Sequence, residues 1–480
     1  MPDCFTIAPF DFFVLHTRTR FPFRYGIASM SEVPHLFLRT RVTSAAASAE
    51  GVAAEGLPPK WFTKNPATTF EQDLPEMLDV IRHAAAVAEE AARRPVSYFD
   101  LWREVNRQQA AWAEERRVAP LLANLGVSLV ERAVLDGLCR LARQPLHRMI
   151  QANRLGLDLR AIYPEIDVAE PRDLLPAAPL EGCWVRHTVG LGDPLEAADI
   201  APGDRVDDGL PHDLETSIRE YGLRYFKVKL AGAPEADFAR LGRTAAVLRR
   251  ATGGDYVVTL DGNENFADFG AFRDFWDEAR TRSGLRAFWS RIEVVEQPVH
   301  RDEALGSAAG AALGAWPERP SLIIDESDGN LGDLPRALDI GYAGTSHKNC
   351  KGIVKGIANA CLLERRRRRG VASVLTGEDL CNLGPVALLQ DLAMMAVLGI
   401  DHVERNGHHY YRGLSMLPAE WQEETVAAHG DLYERHPDGF AGFARLHIRH
   451  GRLQLSSVNS APFGVGFLPR LERLDPFPKT

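Results

Sequence analysis

From about residue 183 onward the chain alternates short apolar runs with longer amphipathic segments. That alternation limits the fold more than any other feature. The apolar runs are CWVRHTVG (183–190), YFKVKLAG (225–232), YVVTLDGN (256–263), IEVVEQPV (292–299), SLIIDESD (321–328), GTSHKNC (344–350), VASVLTGED (371–379) and GIDHVERN (399–406). Nearly every gap between them can hold a helix; DFARLGRTAAVLRRAT and GAFRDFWDEARTR place apolar residues at helical spacing. Strands joined in this way lie parallel, because a parallel pair needs a crossover long enough for a helix. Eight such units over about 230 residues suit a closed (β/α)8-type barrel. An open doubly wound sheet is the competing arrangement. The glycine-rich dinucleotide fingerprint of such sheets is absent, since GLGDP at 190–194 is too short.

The rest of the chain reads differently. Strand-like segments at 5–15 and 35–43 precede helical stretches such as EMLDVIRHAAAVAEEAARR and SLVERAVLDGLCRLARQ. The tail returns to alternation in ARLHIRH and GRLQLSS. We expect an α+β domain over residues 1–180, completed by 415–480, and a barrel over 181–414.

Composition excludes several function classes. A length of 480 residues, 45% hydrophobic and 25% charged, is ordinary for a soluble protein of two domains. No apolar run reaches the length of a membrane span. MPDCFTIAPFDFF lacks the basic start and apolar core of a secretory signal. A formal net charge of -9 argues against a general nucleic-acid binder. Six scattered cysteines without a CxxC pair suggest reduced thiols and a cytoplasmic location. The basic run Arg365 to Arg369 is expected at the exposed end of a helix closed by Gly370.

In a parallel barrel the chemistry sits where strands end. The second strand offers Lys227 and Lys229, the third ends in Asp261, the fourth in Glu296 and the fifth in Asp325. The sixth offers Lys348, and the seventh ends near Glu378. Lys227 and Lys229 are two apart and share a face, with Phe226, Val228 and Leu230 on the other. Three converging carboxylates repel one another, and a hard divalent cation held by oxygen ligands resolves this, which suits magnesium. Burial and the neighbouring Lys227 ammonium would lower the pKa of Lys229. A lysine so placed can remove the α-proton of a carboxylate substrate, the metal stabilising the resulting enediolate.

With the K-x-K strand, DGN, EQP, DES and the later lysine in this order, the sequence resembles the enolase superfamily. Within it, the muconate-lactonizing-enzyme-like branch is the nearer. AVLDGLCRLARQPLHRM looks like the helix leading into that family's barrel, and APFGVGF like its closing glycine-rich turn. The resemblance implies a modified TIM-type (β/α)7β barrel with an α+β capping domain built from the N-terminus and the C-terminal tail. It implies Lys229 as base, Lys348 as the opposite-face acid/base and Lys227 as a contact to the substrate carboxylate. It implies Asp261, Glu296 and Asp325 as ligands for Mg2+, with Mn2+ as an alternative. Glu378 resembles the family's glutamate on the seventh strand, with substrate orientation or helix capping as its role. The mandelate-racemase-like and sugar-acid-dehydratase branches use a histidine there, and VLTGED has none.

The segment HTRTRFPFRYGIASM falls where the family places a mobile loop over the pocket. Arg24, with Arg18 and Arg20, is a candidate to grip an acidic group there, as is Asn263 beside the metal. The double glycine that often follows the sixth-strand lysine is missing, and strand alternation turns Lys351 away from Lys348. The Asp-x-Asp pair of dipeptide epimerases is missing from the eighth strand. His187 is expected as a hydrogen-bonded barrel residue, with His408 and His409 as weak candidates for a second metal. The expected partners are a small-molecule carboxylate substrate and further copies of the chain in a homo-oligomer, with no nucleic acid and no membrane. Racemisation or epimerisation stands first among outcomes, with a lyase (dehydratase or cycloisomerase) as the alternative. From another class stands a non-catalytic ligand-binding relative.

Overall fold

The second strand of the barrel, Tyr225–Lys229, explains why these short runs close on themselves. Its odd and even residues face opposite ways, so Phe226 and Val228 pack beneath the helices while Lys227 and Lys229 point inward. The computed structural model describes residues 3–25, 28–168, 170–437 and 442–477. Gly26 and Ile27 of HTRTRFPFRYGIASM lie outside the described residues.

Among the described residues, eight parallel strands form the barrel: Gly182–Val189, Tyr225–Lys229, Val257–Asp261, Ile292–Glu296, Leu322–Ile324, Gly344–His347, Val374–Gly377 and His402–Glu404. Each lies within or beside one of the eight apolar runs. The last pairs with the first in parallel, Val403 opposite Val185 and Glu404 opposite Arg186, which closes the ring. Helices fill the seven crossovers. Pro234–Thr252 is typical: proline opens it, Glu235 and Asp237 occupy its first turn, Arg249 and Arg250 its last, and Gly253 closes it at φ +69°. The arginine run behaves in the same way. It ends the helix Ile353–Arg368, where Arg365 pairs with Asp167 and Arg368 with Glu364, and Gly370 follows at φ +79°.

Before the barrel, strands Asp11–Tyr25, Ala28–Thr43 and Ser48–Gly56 form an antiparallel sheet. Cys4–Ile7 and, from the C-terminus, Asp475–Pro476 pair at its margins. Arg452–Gln454 instead pairs antiparallel with the first barrel strand. Helices Phe70–Ala91, Tyr98–Arg116 and Pro120–Ala142 cover this sheet. The last packs so closely that a Cβ on Gly51 would lie 2.1 Å from the Ala133 carbonyl. A buried pair, Arg132 to Glu55 at 2.9 Å, pins that helix to the sheet. Gln390, on the barrel helix Val386–Leu398, donates to the Val52 carbonyl at 2.7 Å and joins sheet to barrel. The fold is therefore an N-terminal antiparallel capping sheet on an eight-stranded parallel barrel. No described helix is long and apolar enough to cross a membrane.

Candidate active site

The barrel's strand ends converge on a pocket of about 50 Å3. Lys229, Asn263, Asp325, Lys348, Glu378 and Glu404 supply its polar wall. Phe23 and Met30 from the N-terminal hairpin, with Pro58 and Trp61 beyond it, supply an apolar roof. The Lys348 ammonium faces the Trp61 ring, 4.3 Å from Nζ to the ring centroid, a cation–π contact.

Lys227 lies beneath this pocket, among four carboxylates. Its Nζ is 3.0 Å from Asp261, 2.7 Å from Glu296, 2.8 Å from Glu378 and 2.7 Å from Glu404. Burial alone would lower its pKa, but Asp261, Glu296, Glu378 and Glu404 together hold it well above the ordinary lysine value. It stays an ammonium. Lys229 donates to Asp261 Oδ2 at 2.5 Å. Burial and Lys227 both pull its pKa down as the sequence suggests, yet Asp261, helped by Glu404 and Glu296, makes the net shift upward.

Lys348 reaches Asp325 Oδ2 at 2.6 Å and Glu378 Oε2 at 3.0 Å. Burial works against its charge, but these two acids hold its pKa well above the ordinary value. On the acids the effects are mirrored. Burial pushes Asp325 up, while Lys348 and Lys351 bring it below the usual carboxylate range. Glu378 is likewise pushed up by burial and drawn well below that range by Lys227 and Lys348. Glu296 goes the other way: burial first, then the neighbouring Glu378 charge, raises it well above that range.

Among the described residues, Glu296, Asp325 and Glu378 bring carboxylate oxygens within 4.8 Å of one another, all three side chains buried. Hard oxygen donors crowded this closely, one of them driven towards protonation by the others, fit a divalent cation such as magnesium. The sequence set contains Asp261 in place of Glu378. In the structure Asp261 turns an oxygen towards Lys229 and Lys227.

Other sequence candidates separate clearly. Asn263 lines the pocket at φ +42°, its backbone N–H donating to Asp261 Oδ1 at 2.8 Å. Arg24 does not line this pocket; it packs against Gly192 in a separate groove. Arg20 binds Asp208 at 2.6 Å, and Arg18 pairs with Glu32 in an exposed bridge. His187 Nδ1 lies 3.1 Å from His408 Nε2, and burial pushes the His187 pKa down to about 4. Neither His408 nor His409 joins a metal-holding group among the described residues.

Three residues of the site escaped the sequence reading. Glu404 closes the eighth strand facing Lys227, and its signal, an acid ending a barrel strand, is the one that marks Asp261 and Glu296. Arg186 on the first strand donates to Glu378 Oε1 at 3.3 Å. Lys351 faces Asp325 Oδ1 at 2.8 Å and so does not turn away, because the strand stops at His347 and a 3-10 turn, Asn349–Lys351, swings it back.

Fold and site together define an enolase-like barrel protein, with a capping sheet over a buried lysine–carboxylate centre. Its structural neighbours across the whole chain are mandelate racemase/muconate lactonizing enzyme family proteins. A mandelate racemase/muconate lactonizing protein from Herpetosiphon aurantiacus matches with TM-score 0.59 and 16% identity, over 96% of this chain and 98% of that one. The muconate lactonizing enzyme from Pseudomonas fluorescens, complexed with muconolactone, gives 0.59 and 16%, over 98% of each chain. A dipeptide epimerase from Enterococcus faecalis V583, complexed with Mg and the dipeptide L-Leu-L-Tyr, gives 0.59 and 14%, over 96% of this chain and 99% of that one. At such identities the likeness concerns the fold. No protein-family model and no curated protein matches the chain.

Proposed function

We propose that the chain is a magnesium-dependent enzyme that removes the α-proton of a small carboxylate substrate. The observation that carries this reading is the pocket wall itself: Lys229 from the second strand and Lys348 beyond the sixth meet the same cavity, beside Asp325 and Glu378. Packing requires none of these charges, and burying them without partners would destabilise the fold. Glu296, Asp325 and Glu378 present the oxygen cluster that would hold the cation, with Asp261 beside it. When bound, magnesium supplies positive charge to the enediolate that forms as the α-proton leaves. Manganese would serve the same oxygen donors.

The chain's own groups do the rest. Lys227 lies beneath the pocket with its N–H donors taken up by four acids. Its part here is to neutralise those acids, and it would meet the substrate carboxylate only by exchanging one of them for it. Lys229, once it has given up the proton that Asp261 stabilises on it, takes the α-proton on one face. Lys348, held charged by Asp325 and Glu378, gives one on the other or, after the same loss, takes one. Phe23, Met30, Pro58 and Trp61 exclude water, which gives residues 1–180 with 415–480 their capping role over barrel residues 181–414. Two lysines suit racemisation or epimerisation. A lyase outcome uses the same lysines, one as base and one as cation.

Proton NMR in deuterated buffer with magnesium tests this. Amino-acid derivatives, hydroxy acids, sugar acids and lactones are screened for loss of the α-proton signal. We expect exchange that disappears in Lys229→Ala and is lost or becomes one-sided in Lys348→Ala. Exchange that survives in both variants would refute the assignment. No exchange across the panel would favour a non-catalytic ligand-binding relative.

A further inference from the structure

Lys351 is buried behind Asp325 and is absent from the wall of the central pocket. It lies instead beside a second cavity of about 530 Å3, between the helices Tyr98–Arg116 and Pro120–Ala142 and the loop Gly329–Gly332. Its ammonium has three partners: Asp325 Oδ1 at 2.8 Å, Ser346 Oγ at 2.9 Å and the Ser346 carbonyl at 3.0 Å. An ammonium has three N–H donors, so none remains for proton transfer. Ser346 Oγ accepts from Lys351 and itself donates to Asp325 Oδ1 at 2.5 Å. One oxygen of Asp325 is therefore fixed from inside the protein. The other, Oδ2, meets Lys348, which does line the pocket.

We propose that Lys351 is a positioning residue: with Ser346 it holds Oδ1 of Asp325 and so leaves Oδ2 for a divalent cation. This rests on the metal-site reading above. A carboxylate with one oxygen committed binds a cation through the other, in an orientation set before the cation arrives. Partners of this kind typically govern metal affinity by about 10–100-fold.

Charge alone makes the opposite prediction, which keeps the proposal testable. An ammonium within hydrogen-bonding distance of a metal ligand repels the cation, so removing a mere bystander tightens metal binding. The experiment titrates the full-length protein with Mn2+ and reads free Mn2+ by electron paramagnetic resonance. It compares the unaltered chain with Lys351→Met, Lys351→Arg and Ser346→Ala. We expect Lys351→Met to weaken Mn2+ binding by about tenfold. Ser346→Ala should weaken it less, and Lys351→Arg, which keeps charged donors, should retain most of the affinity.

Unchanged or tighter binding in folded Lys351→Met would overturn the proposal, as would equal losses in the methionine and arginine variants. If Lys351→Met does not fold, Ser346→Ala decides, and unchanged binding there is equally fatal. An unaltered chain that binds no Mn2+ would instead overturn the metal-site reading and the proposal with it, a result distinct from binding that survives the substitution.

Discussion

Lys227→Met removes an ammonium that Asp261, Glu296, Glu378 and Glu404 share, each within 3.0 Å. Removing one partner of a buried ion pair costs about 3–5 kcal/mol, because the other charge stays buried without compensation. Four carboxylates share this one, so we place the loss towards the upper end near neutral pH. Its pH dependence is the sharper test. In the unaltered chain burial raises Glu378 and Asp261, but Lys227 is the largest influence lowering them, and both end below the usual range. A carboxylate with a depressed folded pKa contributes stability that is present above its unfolded value of about 4 and lost as pH falls through the folded pKa. Without Lys227 the largest lowering influence is gone and both pKa values move upward, although Lys229 still lowers Asp261 and Lys348 still lowers Glu378. The folded variant then holds more protons than the unaltered fold, so its stability falls relative to the unaltered chain as pH rises.

The stability gap between variant and unaltered chain should therefore be widest near about pH 8 and narrow steadily towards about pH 5. Urea unfolding of the metal-free proteins at several pH values measures it. Magnesium should stabilise the variant more than the unaltered chain, since a ligand stabilises a fold by its affinity for it and the variant's pocket is more negative. A gap that is constant with pH, or that widens in acid, would refute the idea that Lys227 neutralises these carboxylates.

Two further outcomes follow from packing and burial. Gly51→Ala should destabilise by about 1–3 kcal/mol, because its Cβ meets the Ala133 carbonyl at 2.1 Å, whereas Gly203→Ala, with nothing within 4 Å, should be neutral. Urea midpoints of the two variants decide this. His187 and His347, pushed down to about 4 by burial, should show ring NMR signals that do not move between about pH 5.5 and 8. Because unfolding lets each take up a proton near its ordinary value, stability should decline below about pH 6.5, by up to about 1.4 kcal/mol per pH unit for each such histidine.

The barrel was legible because its strands are short, apolar and separated by helix-length segments, and because a closed parallel ring sends every strand end to one place. Lys227, Lys229 and Lys348, with the acids at 261, 296, 325 and 378, follow from that convergence without any contact being known. The roof was legible only in part. The resemblance places HTRTRFPFRYGIASM over the pocket, and Phe23 and Met30 of that segment do line it, whereas no periodicity or motif marks Pro58 and Trp61. Arg24 shows the same limit, since its charge suits an acid but its strand delivers it to a different groove.

Within the site, sequence fails where a strand stops. Period-two alternation assigns a face only while the backbone stays extended. It holds through Lys229, which ends its strand, and so both lysines of that strand point inward. On the sixth strand it holds through Lys348, whose backbone is still extended and which shares a face with Ser346. The 3-10 turn that follows rotates Lys351 onto the Asp325 carboxylate that Lys348 also reaches. Glu404 is the converse case. The eighth strand is three residues long and its last is the acid, so the glutamate meets Lys227 with no turn intervening. A charge on the last residue of a barrel strand, or one residue past it as at Asp325, Lys348 and Glu378, can therefore be placed from the sequence, whereas one farther out, as at Lys351, can be placed only once the turn is known.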